Sequence, residues 1–149
     1  MDKRFVDIVD VEVAKTGARI VAVERASDMV SVVVMTPGQD ISIDEIEMIS
    51  RNISHAFIER YGDDALPAFE VTSPGLDRVL KTPYELGLFA GRLVRVTTKE
   101  TSEPVIGTLG ALDEKGLHVT VLGVDRVFDA QQVTKVSLWD EILGGGYEG

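Results

Sequence analysis

The chain has 149 residues and no cysteine, with 44% hydrophobic and 27% charged residues. That balance suits a soluble globular protein of one domain or two small ones, and the missing thiols exclude disulfides, thiol catalysis and cysteine-ligated metal sites. The formal net charge is −10, and residues 1–73 hold 7 Lys+Arg against 14 Asp+Glu. Phosphate binding needs clustered cations, so this field argues against naked nucleic acid as the main partner and favours a basic protein, although net charge alone also serves solubility.

No secretory apolar core follows Met1-Asp2-Lys3-Arg4-Phe5, and no apolar run approaches the ~18 residues of a membrane span. A cytoplasmic protein that does not engage a membrane is expected. Phe5, Ile8, Val9 and Val13 recur at helical spacing, with Gly17 available as the left-handed residue past the end. Valines make this helix weak by propensity, so packing must hold it. Two strand-like runs, Arg19–Arg25 and Val30–Met35, are separated by Ala26-Ser27-Asp28, which predicts an antiparallel hairpin. Val32-Val33-Val34-Met35 is apolar on both faces, as a central strand requires.

After the break Thr36-Pro37-Gly38-Gln39-Asp40, Ser42 with Glu45 forms a capping box, and Ile41 is placed to staple onto Ile46. Ile46, Ile49, Ile53, Ala56 and Phe57 make one apolar stripe, opposite Glu45, Glu47, Arg51, Asn52 and Glu59, and Gly62 stops the helix. Phe69 and Val71 alternate with Glu70 and Thr72 as a third strand. The order αββαβ predicts an α+β layer with two helices on one sheet face. It lacks the helix–Gly-x-x-Gly–helix clamp of a KH module, since Gly107-Thr108-Leu109-Gly110 lies in a strand region without basic neighbours.

The pattern changes at Ser73-Pro74-Gly75-Leu76-Asp77. Pro74-Gly75 predicts a tight turn with Gly75 at positive φ, Leu76 a buried anchor, and Asp77-Arg78 adjacent opposite charges. Thr82-Pro83 reads as a helix start. Ser73, Pro74, Gly75, Leu76 and Asp77 therefore form the expected joint between domains 1–82 and 83–143. A helical turn at Tyr84–Phe89 is followed by short strands at Arg92–Thr98, Val105–Leu112, Gly116–Leu122, Arg126–Asp129 and Gln132–Leu138. Five strands at this spacing predict a small closed or nearly closed SH3- or Sm-like β-barrel, with a flexible glycine-rich tail at 144–149.

The run Val71-Thr72-Ser73-Pro74-Gly75-Leu76-Asp77-Arg78, followed by Leu80-Lys81-Thr82-Pro83, resembles the signature of the bacterial ribosome maturation factor RimP family. Val79 stands where that family commonly has proline. The resemblance extends more weakly from the first helix to about Leu143. It implies an α/β amino-terminal domain, an Sm-like second domain, and a factor that binds the free small (30S) ribosomal subunit during maturation. It also implies contact between the Sm-like domain and a small-subunit ribosomal protein.

Catalytic groups are sparse. His55 lies beside the apolar stripe of the long helix and His118 in an alternating strand, neither next to an evident nucleophile or metal ligand. The carboxylate pairs Asp63-Asp64 and Asp113-Glu114 sit in turns, where adjacent residues do not converge on a cleft. No phosphate-binding or dinucleotide glycine motif occurs. A monomeric binding protein without catalytic residues, metal or cofactor is expected. Its candidate contacts with the ribosomal subunit are Arg78, Lys81, Arg92 and Arg95, with Arg92 and Arg95 assigned to one face of a strand and Lys99 just beyond. Each of these cations could equally belong to a solvated face, and Arg78 to an internal ion pair. Trp139 reads as a cap on the second core. The main contact is expected through a basic ribosomal protein, with accessory contacts to ribosomal RNA. The alternative is a stand-alone Sm-type module acting on small RNAs, which the acidic balance and the attached α/β domain oppose.

Overall fold

The first helix, α1 (Lys3–Ala14), starts where the Asp2 carboxylate accepts the Arg4 backbone N–H, and it ends before Gly17 at φ +82°. In a computed structural model describing residues 1–38, 40–100 and 103–140, the chain is α+β and divides into two compact units, Met1–Pro74 and Gly75–Gly149. The first unit continues with β1 (Arg19–Ala26), β2 (Met29–Met35), α2 (Ile43–Tyr61), a 3-10 turn (Asp63–Ala65) and β3 (Phe69–Thr72). β1 and β2 pair antiparallel, whereas β2 and β3 pair parallel, as expected when a long helix intervenes.

Burial follows the sequence periodicities. Phe5, Ile8, Val9 and Val13 of α1 and Ile49, Ile53 and Phe57 of α2 pack with Val30, Val32 and Val34 of β2 in one core. Phe5 stands at its centre, with ring centroids 5.2 Å from Phe69 and 6.2 Å from Phe57. Val33 and Met35 are buried as well, so β2 is covered on both faces. The capping box of α2 is complete: the Ser42 hydroxyl accepts the Glu45 N–H at 3.1 Å and the Glu45 carboxylate accepts the Ser42 N–H at 3.3 Å.

The second unit opens with α3 (Pro83–Leu88), capped by the Thr82 hydroxyl, which accepts the Glu85 N–H. β4 (Leu93–Thr98), β5 (Val105–Asp113), β6 (Gly116–Val121), β7 (Val124–Phe128) and β8 (Val133–Leu138) form one antiparallel sheet in the order β7-β6-β5-β4-β8. Its core holds Leu80, Phe89, Val94, Val96, Leu109, Leu117, Val119, Val136 and Leu138.

The sheet is open, in contrast to the closed or nearly closed barrel anticipated. Closure would require β7 to reach the outer edge of β8. That edge is occupied by the segment before α3: Leu80 donates its N–H to the Val136 carbonyl and Leu138 donates to that of Arg78, each at 2.8 Å, around a Val79–Ser137 bridge. Residues 78–80 thus find their backbone partners in the second unit. The glycine-rich tail expected at 144–149 lies outside the described residues.

Candidate functional site

The joint differs from its expected geometry in two respects. Gly75 does not take positive φ, and the turn is displaced by two residues: Arg78 donates its N–H to the Gly75 carbonyl at 3.2 Å, so Leu76 and Asp77, not Pro74 and Gly75, occupy the corners. Either corner position of a common β-turn tolerates an ordinary residue, which removes the need for a left-handed glycine. Leu76 is 59% exposed and so is not a buried anchor; Leu80, 6% exposed, anchors the segment. Ser73 and Asp77 are also exposed, and Pro74 is half-buried.

Arg78 is the most constrained of the four candidate contacts. Its Nε donates to the Glu85 carboxylate at 3.0 Å, with side chains only 13% and 6% exposed. The Thr82 cap fixes the first turn of α3 and so positions Glu85 against the incoming arginine. This is a pair internal to the second unit, and it ties the segment after the joint to α3. Asp77 makes no comparable bond among the described residues.

The other three cations occupy separate settings. Lys81 is exposed and lines a groove of about 420 Å³, together with Leu80, Leu86, Leu117, Val136 and Lys135. Arg92 lies just before β4, half-buried, with its guanidinium 5.9 Å from the Phe89 ring centroid. Arg95 is exposed on β4 and stacks 5.5 Å from the Trp139 ring centroid. Arg92 and Arg95 therefore do not share a strand face. Their spacing of three is incompatible with a period of two, and Arg92 is outside the strand.

One polar cluster escaped the sequence reading. His118 of β6 lies between two carboxylates, with Nε2 2.8 Å from Asp113 and Nδ1 3.2 Å from Asp125. Antiparallel pairing of β6 with both β5 and β7 creates the cluster, since it brings together residues five and seven apart in the chain. The hydrogen bond to Asp125, followed by that to Asp113, raises the His118 pKa above the ordinary histidine value. The bond from His118 in turn holds the Asp113 carboxyl below its ordinary range. His55 is exposed on α2. Among the described residues, no group of three or more His, Asp or Glu is arranged to hold a metal ion, and no helix is long and apolar enough to cross a membrane.

No protein-family model matches the chain.

Proposed function

We propose that this protein is a ribosome maturation factor of the RimP type, which binds the free small (30S) ribosomal subunit and assists its assembly without catalysing a reaction. The observation that carries this reading is the run Val71–Arg78 with Leu80-Lys81-Thr82-Pro83 behind it, lying where two compact units meet in the chain. Two small units with separate cores suit a protein that offers distinct surfaces to a large assembly. On this reading the first unit is the family's αββαβ domain and the second its Sm-like domain. A short helix leading into five short antiparallel strands supports the latter, although the sheet stays open.

Charge indicates the kind of partner. A chain of net charge −10 is repelled by polyanionic RNA beyond local contacts and attracted by a basic ribosomal protein. Lys81 and Arg95 remain available for accessory phosphate contacts once a protein contact has set the register. The protein acts as a cytoplasmic monomer on this reading. The test compares binding to intact small subunits with binding to protein-free small-subunit RNA, across a range of salt. Binding to the subunit should be much the tighter and should weaken as salt shortens the Debye length. Equal affinity for the naked RNA would overturn the reading in favour of an RNA-binding module.

A further inference from the structure

Both ring nitrogens of His118 face carboxylates, Nε2 at 2.8 Å from Asp113 and Nδ1 at 3.2 Å from Asp125. An ionised carboxylate only accepts hydrogen bonds, and a neutral imidazole has a single N–H. Both contacts are therefore hydrogen bonds only while the ring carries its second proton. The strand register explains the arrangement. Thr120 pairs with Asp125 and Gly116 with Asp113, so the two carboxylates reach the ring diagonally, from β7 on one side and β5 on the other, across one sheet face. Gly110 leaves room beside it, since a Cβ there would come within 3.1 Å of His118 Cβ. The charges that act on the ring are those of Asp113 and Asp125. Glu114 and Lys115 are exposed in the β5–β6 turn, and the Arg126 guanidinium lies 5.1 Å from the Phe128 ring centroid.

The two carboxylates are not held alike. Asp113 also accepts the Lys115 backbone N–H at 2.9 Å, within the turn that joins β5 to β6. Among the described residues, the Asp125 side chain has no bond besides the one to His118. β7 is also the strand of this sheet with the least to hold it. None of Val124, Asp125, Arg126, Val127 and Phe128 is buried, and its strand partner is β6 alone among the described residues. The turn leading into it places Leu122 at φ +51°, a conformation disfavoured for a residue with a Cβ. An edge position with little burial marks a segment that opens locally, ahead of the rest of its domain.

We infer that His118 is a proton-operated fastener for β7: its imidazolium ties β5, β6 and β7 together, and loss of one proton frees Asp125 and lets β7 open locally from β6. The remaining N–H stays with the shorter contact, to the doubly held Asp113. The Nδ1 lone pair then confronts the Asp125 carboxylate, so attraction turns to repulsion at the least buried strand. The bonds to Asp125 and then Asp113 raise the His118 pKa. Fastening is therefore complete below the ordinary histidine value and is lost as pH rises through the folded one. The ring is 21% exposed and its partners more so, which keeps the effect local and modest. This behaviour belongs to the sheet itself and does not depend on the ribosomal reading.

The test measures amide hydrogen exchange by NMR on the full chain across a pH series, as protection factors corrected for the intrinsic pH dependence of exchange, beside the titration of the His118 ring. The β7 amides bonded to β6 should lose protection severalfold, with the midpoint of the ring. At every pH they should be less protected than Leu109 and Leu138, whose N–H groups bond the Arg92 and Arg78 carbonyls. His118→Gln removes the titrating group and Asp125→Asn the carboxylate, and each should abolish the step. Asp125 is 59% exposed, so its replacement leaves the fold intact. A ring that titrates with no step in β7 would overturn the proposal. So would β7 amides that match Leu109 and Leu138 at every pH, since the strand would then open only with the whole unit. A step that survives both substitutions would assign it to another group and overturn the proposal as well.

Discussion

Arg78 and Glu85 are held 3.0 Å apart with almost no solvent access, and this geometry fixes what their removal does. Truncating Arg78 leaves the Glu85 carboxylate buried without its ion-pair partner, at a cost of about 3–5 kcal/mol. Arg78→Ala should therefore lower the urea midpoint strongly. Gly75→Val should stay within about 0.5 kcal/mol of the parent, because the residue has ordinary φ and a Cβ there meets nothing nearer than Asp77 Oδ1 at 3.6 Å. The reverse ranking would show that the joint, not the ion pair, is the critical feature. The sequence allowed Arg78 an internal ion pair but did not identify Glu85 as its partner. Seven residues apart, they meet only because the intervening chain turns into α3 at Thr82.

His118 gives a pH dependence whose sign follows from its two carboxylate neighbours. Its folded pKa is raised, so its contribution to stability is complete below the ordinary histidine pKa and is lost as pH rises through the folded value. Asp113 works in the opposite sense: its pKa is lowered, and its contribution is present above the ordinary aspartate range and lost as pH falls through the folded value. An NMR titration should show the His118 ring titrating above the ordinary histidine value. Asp125→Asn should move the His118 pKa downward. An unchanged titration would mean that the carboxylates do not contact the ring in solution.

At the level of elements, the most readable piece was α2. Its capping box, apolar stripe and terminal glycine are local signals that tertiary context reinforces, and all three are present in the fold. Ser42→Ala should cost about 1 kcal/mol by removing the acceptor for the Glu45 N–H, read as a fall in thermal midpoint with native circular dichroism. The strands of the second unit were legible in number and order, from glycine spacing and alternation, but their closure was not. Whether five strands close depends on what occupies the outer edge of β8. That role falls to residues 78–80, whose short run carries no strand signature of its own. Likewise Arg92 shows no mark in sequence that distinguishes the end of a bend from the start of a strand.

For the whole molecule, the division at Pro74 and Gly75 predicts how the chain can be cut. A fragment 75–149 retains Leu80 in its core, the Arg78–Glu85 pair and the cover on β8. A fragment 83–149 loses all three and should be markedly less stable, or unfolded, by amide dispersion and urea titration. Equal stability of the two fragments would show that residues 75–82 contribute nothing to the second unit. The acidic charge concentrated in the first 73 residues belongs to this scale as well, since it acts through the field of the molecule and not through any one contact. The central claim, a factor acting on the free small ribosomal subunit, is tested most directly by sedimentation of a bacterial extract in a sucrose gradient. The account predicts that the protein travels with free small subunits, leaves them as salt is raised, and is absent from translating ribosomes; sedimentation only as free protein, or equally with translating ribosomes, would contradict it.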